Sequence, residues 1–321
     1  MVSSTWPTLI VSFLMLFLLT PIQAGQSQAN EESICQKAYG AIQKDQAVPN
    51  WLQIDLTSED LFTENRYDLL AGRLLYSGIV DGSQCPGWGL NLDGSPNGCG
   101  LEKAQPAVNQ WQNQFDGETL SAAQKLGYPP RLVKSVIAIE SQFWPASDWS
   151  RGEVGLGQLT NAGADLLLSW RQEVYQDACS QVYGQETCQR PYGKQEPWIQ
   201  AAIRGKLLRM ADPSCANCKG GVDINMAKRS IPLLVEGLSA SCQQSAYLTR
   251  RFTGSAPSSI MTYEDFIKLS LANYHAGSGC TSYALQNTFV HYDWGNLSGH
   301  YSAGCPNGTG YVRKIMKSLQ P

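Results

Sequence analysis

One glutamate at the end of a predicted helix is well placed to do chemistry. A proline pair at residues 129 and 130 can start that helix, because proline fixes φ and fits a first turn that does not need its N–H. Residues 131–142 then read as helix, and four of them share one face at positions i, i+3, i+4 and i+7: Val133, Val136, Ile137 and Glu140.

A carboxylate in that place should be hard to ionise. Burial and the negative end of the helix dipole both disfavour its charge, so we expect the pKa of Glu140 to be raised. A carboxyl that stays protonated near neutral pH can act as a general acid. The alternative is a glutamate that points into solvent at a helix end, which a Glu-Ser dipeptide does not exclude.

Two further segments have polar residues in special surroundings. Residues 152–158 combine three glycines with Gln158, which suits backbone lying against a ligand with one amide free to bind it, although an ordinary turn would look the same. Thr262 is a predicted N-cap of a helix that we expect to end at Gly277. Tyr274, one turn earlier, can hold a carboxylate or a sugar hydroxyl, or can simply be a core tyrosine.

Together these segments resemble the lytic transglycosylase domain of the soluble transglycosylase type, within the lysozyme-like superfamily. That family has a Glu-Ser pair at a helix end, then a Gly-Leu-Met-Gln turn, then an Ala-Tyr-Asn-Ala-Gly helix end. The likeness covers about residues 115–283, roughly half of the chain. The matching residues are Glu140, Ser141, Gly155, Leu156, Gln158, Tyr274, Ala276 and Gly277.

Three residues depart from the family pattern. Gly157 stands in place of methionine, Asn273 in place of alanine, and His275 in place of asparagine. The loss of methionine removes a hydrophobic contact, and histidine adds a group that can titrate. These changes bear on substrate preference and on the pH profile.

The resemblance implies a mainly α protein with a lysozyme-like catalytic domain. Gly-, Pro- and Asn-rich stretches between about residues 26 and 113 indicate an N-terminal disulfide-rich extension packed on it. It implies cleavage of the bond between N-acetylmuramic acid and N-acetylglucosamine by Glu140, with a 1,6-anhydro product and no cofactor or metal. Substrate-binding roles fall on Ser141, Gln158, Tyr274 and His275.

Two other functions stay open. A lysozyme of the goose type would need a second carboxylate, for which Asp148 and Glu153 are candidates, although both read as solvated loop charges. An inactive glycan-binding or structural wall protein is the third possibility, because a fold does not guarantee chemistry.

The start of the chain predicts export. The apolar run Leu9–Thr20 is shorter than the roughly 20 residues that span a bilayer, and Ala24 suits a cleavage site. The region before the run has no Lys or Arg. We therefore predict a signal peptide at 1–24, an extension at 25–113, and a catalytic domain at 114–321 with an insertion at about 165–221. We expect no stable membrane anchor, and a secreted, periplasmic or wall-associated protein.

Ten cysteines follow the predicted cleavage site, an even number that is compatible with five disulfides in an oxidising compartment. The sequence does not give their pairing, although Cys85 with Cys99 and Cys179 with Cys188 would close local loops. Cys215 and Cys218 could instead be half of a zinc site, but no second close pair or histidine cluster accompanies them.

Charge and aromatic content indicate the kind of partner. A formal charge of −3 argues against nucleic acid, whose binders carry basic patches. Peptidoglycan glycan strands would have to be held by shape, hydrogen bonds and aromatic faces. Among nine tryptophans, Trp144, Trp149 and Trp170 flank the first two motifs and could stack on sugars, with core packing as the alternative for each.

Overall fold

Helices account for most of the architecture. The structure, a computed structural model, describes residues 33–40, 49–301 and 304–320. Its α-helices are Ile34–Tyr39 (α1), Asp68–Tyr76 (α2), Gly98–Asn113 (α3), Asp116–Leu126 (α4), Pro130–Ser141 (α5), Asn161–Trp170 (α6), Gln172–Ser180 (α7), Gln185–Cys188 (α8), Pro197–Ala211 (α9), Ile224–Thr253 (α10), Pro257–Ile260 (α11), Tyr263–Asn287 (α12), Trp294–Gly299 (α13) and Gly308–Ser318 (α14). The expected mainly α class is confirmed.

Short 3-10 helices and isolated bridges complete the described segments. The 3-10 turns are Asn50–Leu52, Glu59–Leu61, Pro86–Gly89, Tyr192–Lys194 and Lys219–Gly221. Extended backbone pairs in isolated antiparallel bridges, among them Asp148 with Glu153 and Val154 with Leu159.

Helix α5 forms where the sequence predicts it. Pro130 is the first helical residue after the cap residue Pro129. Val133, Val136 and Ile137 are fully buried, so the apolar face predicted from their spacing is the one that packs on the core.

Helix α10 is the long central element, 30 residues from its Asp223 cap to the left-handed Gly254. The Asp223 carboxylate accepts hydrogen bonds from the backbone N–H groups of Asn225 and Met226, which would otherwise lack helical partners. Helices α1, α4, α6 and α12 pack against α10, and α14 packs against both α12 and α5. This arrangement brings α5, α12 and α14 together around the main core.

Helix α12 differs from its prediction at one point. The cap Thr262 is confirmed, since its hydroxyl accepts a hydrogen bond from the Asp265 N–H. The expected glycine stop is confirmed at Gly277, whose backbone is non-helical (φ 83°, ψ 167°), but a second helical segment that the sequence did not predict follows directly and runs to Asn287. Gly277 interrupts the helical backbone angles, and Thr281, Ala284 and Leu285 supply a buried face for the second helical segment.

A second core lies between the turn at residues 152–158 and helix α10. It comprises Val154, Leu159, Ala164, Leu167, Leu168, Val174, Tyr175, Ala178, Cys179, Cys188, Tyr192, Ile203, Leu207, Leu208 and Ala211. The expected insertion at about 165–221 therefore shares its core with residues from 154 onwards.

The five expected disulfides are confirmed. They join Cys35 to Cys242, Cys85 to Cys99, Cys179 to Cys188, Cys215 to Cys218, and Cys280 to Cys305. Both local loops considered from the sequence are closed. Cys215 and Cys218 pair with each other, and no group of residues in the described part of the chain is arranged to hold a metal ion.

A buried ion pair ties the extension to α5. The Lys134 ammonium contacts the Asp116 carboxylate at 2.8 Å, with both side chains almost wholly buried. It also donates to the Leu61 carbonyl oxygen at 2.5 Å and to Asn113 Oδ1 at 2.7 Å. Burial raises the pKa of Asp116 to about 6 and lowers the pKa of Lys134. One side chain thus links residues before α3, the end of α3, α4 and the helix that carries Glu140.

The predicted signal peptide lies outside the described residues. Within the described ranges, no helix combines the length and apolar character that crossing a bilayer requires.

Candidate active site

Glu140 occupies the last turn of α5 and has the properties of a buried acid. Its side chain is half-buried. Burial raises the pKa of Glu140 to about 7, a hydrogen-bonding interaction with Tyr311 opposes that rise, and the negative charge of Glu153 adds to it. The carboxyl is therefore partly protonated at neutral pH, which a general acid requires.

The chain turns sharply directly after this helix. Gln142 and Phe143 both have positive φ, 47° and 64°. Such values cost energy in residues with side chains, and they persist only where neighbouring structure holds them. Two consecutive left-handed residues therefore indicate a turn that neighbouring structure holds in place.

The N-terminal extension supplies the contacts that hold the turn. The Trp111 indole Nε1 donates to the Phe143 carbonyl oxygen at 2.9 Å, and the Leu69 N–H donates to Gln142 Oε1 at 2.9 Å. The Tyr67 and Phe143 rings lie 5.5 Å apart. Residues of the extension thus determine how α5 ends.

The turn at residues 155–158 is held by Gln158, which also has a positive φ of 48°. Its Nε2 donates to the Ala146 carbonyl oxygen at 3.3 Å and to the Gly155 carbonyl oxygen at 2.6 Å. The amide N–H groups of this predicted substrate-binding residue therefore join two chain segments. Its Oε1 remains an acceptor that a sugar hydroxyl could use.

Gly157 has a steric reason for its place in this turn. A Cβ at Gly157 would lie 2.7 Å from Leu234 Cδ1 of helix α10. Leu234 occupies the space into which a larger side chain at residue 157 would extend.

Tyr274 joins the second and third motifs. Its hydroxyl donates to the Gly157 carbonyl oxygen at 3.1 Å. Burial raises the pKa of Tyr274, and the nearby Glu140 charge raises it further. The hydroxyl proton is thus directed to the backbone of the turn, while the phenol oxygen remains within the electrostatic reach of Glu140.

Tyr311 lies beside Glu140 but belongs to none of the three sequence motifs. It lies on α14 and is 4% exposed. Burial raises the pKa of Tyr311 well above its usual value, and the Glu140 charge raises it further. The contact with Glu140 is looser than an ordinary hydrogen bond, because the Tyr311 hydroxyl has no partner within normal hydrogen-bond geometry in the described ranges. A tyrosine on the buried face of a capped helix was the available sequence signal, but many core tyrosines share it.

His275 stacks on Tyr311. The two ring centroids are 4.3 Å apart and the ring planes differ by 7°. His275 as a whole residue is exposed to solvent. Burial of the stacked face, together with the Lys314 ammonium, lowers the pKa of His275.

The two candidates for a second carboxylate differ in their surroundings. Asp148 Oδ1 accepts hydrogen bonds from the Ser150 hydroxyl at 2.5 Å and from the backbone of Ser150 and Arg151. Glu153 is half-buried, and its charge acts on the pKa of Glu140. Of the pair, Glu153 is the one that the structure places in electrostatic contact with the candidate acid.

Ser141 faces the protein interior. It is 4% exposed, and its hydroxyl donates to the Ile137 carbonyl oxygen at 3.1 Å. The Ser141 hydroxyl proton is therefore used in a hydrogen bond within the last turn of α5. The hydroxyl oxygen can still accept a hydrogen bond from another partner.

The three tryptophans considered for sugar stacking have different surroundings. Trp144 is buried and stacks on Trp111 at 5.4 Å, so its faces belong to the core. Trp170 is half-buried and packs against Tyr247 at 5.7 Å. Trp149 is 49% exposed and is the one of the three that presents a free surface.

A cavity of about 720 Å³ lies farther along the helices that carry Glu140 and Tyr311. Its lining includes Ser135 and Ala138 of α5 and Met316 and Leu319 of α14, but not Glu140 itself. The candidate acid and this cavity are therefore separate features of the α5–α14 pair.

Comparison of the chain with models of known protein families, with curated proteins and with solved structures finds no match.

Proposed function

We propose that this protein is an exported peptidoglycan lytic transglycosylase with a lysozyme-like catalytic domain. The observation that carries the proposal is Glu140, a half-buried carboxyl whose pKa burial raises to about 7 and which interacts electrostatically with Tyr274 and Tyr311. The arrangement of the three sequence motifs around it supports the assignment, since the Tyr274 hydroxyl contacts the Gly157 carbonyl oxygen.

In the proposed reaction Glu140 works first as an acid. The protonated carboxyl gives its proton to the oxygen between N-acetylmuramic acid and N-acetylglucosamine. The bond from that oxygen to muramic C1 breaks, and C1 becomes an oxocarbenium-like centre. Burial keeps the acid protonated close to neutral pH, so that it can make this transfer.

Glu140 then works as a base. As a carboxylate it takes the proton of the muramic C6 hydroxyl, and the C6 oxygen bonds to C1 to give the 1,6-anhydro product. No water is consumed, and Glu140 recovers its proton. Attack within one sugar is favoured by proximity, where effective molarities reach about 10⁵ M or more.

A goose-type lysozyme reaction is the second candidate, and Glu153 supports it. Hydrolysis needs a second carboxylate to position water or to attack C1. Glu153 is electrostatically coupled to Glu140, and that coupling is the specific observation in favour of this candidate. An inactive wall-binding protein is the third candidate.

Digestion of purified peptidoglycan with mass analysis of the released fragments separates the three. Anhydro ends, lighter by one water, support a transglycosylase. Reducing ends support a hydrolase, and no release supports a binder. Glu140→Gln should abolish release while glycan binding persists, and a variant that keeps more than a few per cent of wild-type turnover would remove Glu140 from the acid role.

Export follows from the predicted signal peptide and is supported by the disulfides, which form in oxidising compartments. Mass spectrometry of the unreduced, secreted protein should find all ten cysteines oxidised and a chain that begins near Gly25. Free Cys215 and Cys218, or stoichiometric zinc, would contradict this expectation.

A further inference from the structure

Three side chains from three helices meet in series at the candidate site. Glu140 belongs to α5, Tyr311 to α14 and His275 to α12. The Tyr311 hydroxyl interacts with the Glu140 carboxyl, and the Tyr311 ring lies parallel to the His275 imidazole at 4.3 Å. Tyr311 therefore lies between His275 and the candidate acid, with its ring against the imidazole and its hydroxyl towards the carboxyl.

The orientation of Tyr311 depends on packing. Its hydroxyl is buried and has no hydrogen bond of normal geometry in the described segments. Without a directional bond at the hydroxyl, the ring is kept in place by the surfaces against its faces and edges. The imidazole of His275 covers one of those faces.

We propose that His275 is a positioning residue whose imidazole ring, by stacking on Tyr311, holds the phenol hydroxyl against the Glu140 carboxyl. The proposal rests on the proposed function, because it assigns His275 a role in the action of Glu140. It differs from the expectation that His275 binds a sugar directly.

The charges around His275 favour a role for the neutral ring. Tyr311 and Lys314 of α14 face the imidazole, Glu140 of α5 lies beyond the Tyr311 hydroxyl, and Glu153 acts on Glu140 in turn. Burial and the Lys314 ammonium lower the pKa of His275, which favours the neutral imidazole. A neutral flat ring stabilises its neighbour by stacking, and a phenyl ring can do the same.

Two substitutions separate stacking from hydrogen bonding. His275→Phe keeps a flat ring and removes the nitrogens. His275→Asn keeps hydrogen-bonding groups and removes the ring, and it restores the residue of the family that the chain resembles. His300→Asn, at an exposed histidine, is the matched control.

Turnover of purified peptidoglycan is the first readout. We expect His275→Phe to stay within about twofold of wild type, and His275→Asn to lose between about two- and tenfold in kcat at little changed KM, as expected for one aromatic contact. Full activity in His275→Asn, together with a raised KM in His275→Phe, would mean that His275 binds sugar and would overturn the proposal.

The pKa of Glu140, measured by carbon NMR of the carboxyl across a pH titration, is the second readout and needs no turnover. Because the Tyr311 hydroxyl lowers the pKa of Glu140, a loosened Tyr311 should let that pKa rise. We expect a rise in His275→Asn and none in His275→Phe or His300→Asn. Equal Glu140 pKa values in all variants would overturn the proposal.

The Glu140 pKa measurement also distinguishes a failure of the proposed function from a failure of the role proposed for His275. If no variant and no wild-type protein cleaves peptidoglycan, the proposed function fails, but the Glu140 pKa still decides whether His275 positions Tyr311. Thermal melts of each variant establish that it is folded before either measurement is interpreted.

Discussion

The indole nitrogen of Trp111 donates a hydrogen bond to the backbone carbonyl oxygen of Phe143, at 2.9 Å. Phe143 is buried, and its positive φ places that carbonyl in a turn that the chain adopts only at some cost. A residue of the N-terminal extension therefore stabilises the turn that follows Glu140.

Trp111→Phe should weaken that turn. The phenyl ring can still stack on Trp144, but the Phe143 carbonyl oxygen loses its donor, which costs about 1 to 3 kcal/mol for a buried group. We expect a lower free energy of unfolding in urea and a lower kcat on peptidoglycan. Trp198→Phe, at an exposed tryptophan, is the control. Equal effects of the two substitutions would show that the hydrogen bond does not support the turn.

Glu140→Gln should stabilise the folded protein above about pH 4.5. The folded pKa of Glu140 is raised from 4.5 to about 7 by burial, so between these values the unfolded chain has lost the proton that the folded chain keeps. The wild-type free energy of unfolding therefore falls as pH rises through this range, and glutamine removes that loss.

The expected gain is about 1 to 3 kcal/mol at pH 8 and close to none at pH 4, reduced from the full linkage value because the side chain is only half-buried. Urea unfolding of both proteins from pH 4 to pH 8 measures it. Glu102→Gln, at an exposed glutamate of α3, controls for the change of residue type. A difference that is constant across pH would contradict the raised pKa.

Glu153→Gln should move the pH profile of cleavage. The wild-type rate should fall as pH rises through about 7, because Glu140 loses its proton there. Glu153 raises the pKa of Glu140, so its removal should shift that fall to lower pH.

Asp148→Asn is the matched control for Glu153→Gln, because the Asp148 carboxylate is held by Ser150 and Arg151. A shift of equal size in both variants would indicate a general charge effect. If Glu153→Gln abolishes cleavage instead of shifting the profile, Glu153 takes part in the reaction and the hydrolase mechanism gains support.

Asp116→Ala should be strongly destabilising. It leaves the Lys134 ammonium buried without its carboxylate partner, which typically costs about 3 to 5 kcal/mol. Glu118→Ala removes a more exposed pair with Lys228 and should cost less than about 1 kcal/mol. Chemical unfolding of both variants tests the contrast, which a similar loss in each would refute.

The sequence predicted the features that depend on local spacing. The apolar face of α5 placed Glu140 correctly, because helical periodicity and a proline start act within a dozen residues. The expected raised pKa followed from that position and agrees with the value of about 7.

Features that depend on distant contacts could not be predicted in this way. Nothing near Tyr311 in the chain indicates that α14 packs on α5, and the bond from Trp111 to Phe143 requires a backbone turn that no motif specifies. The second helical segment of α12, beyond the expected stop at Gly277, was missed for a related reason. A glycine permits a break, but buried residues beyond it determine whether helix begins again.

Asn273 and Gly157, two residues that differ from the motifs of the resembled family, both have contacts with another helix. The Asn273 Nδ2 group donates to Ser241 Oγ and to Gln244 Oε1, both at 2.9 Å, so a buried amide joins α12 to α10. Gly157 leaves room for Leu234 of α10, whose Cδ1 would lie 2.7 Å from a Cβ at residue 157. Asn273 and Gly157 thus both have neighbours on α10, which the motif sequences alone do not reveal.

The disulfide between Cys280 and Cys305 can form only late in the synthesis of the chain. A ribosome that has just completed α12 has already made the acid, but not α14 with its tyrosine. The covalent link between α12 and the segment that leads into α14 closes only after Cys305 has emerged and met an oxidant, which the cytoplasm does not favour. Under the proposed function, this covalent link between α12 and the segment before α14 would therefore form only after export, in the compartment that contains the wall.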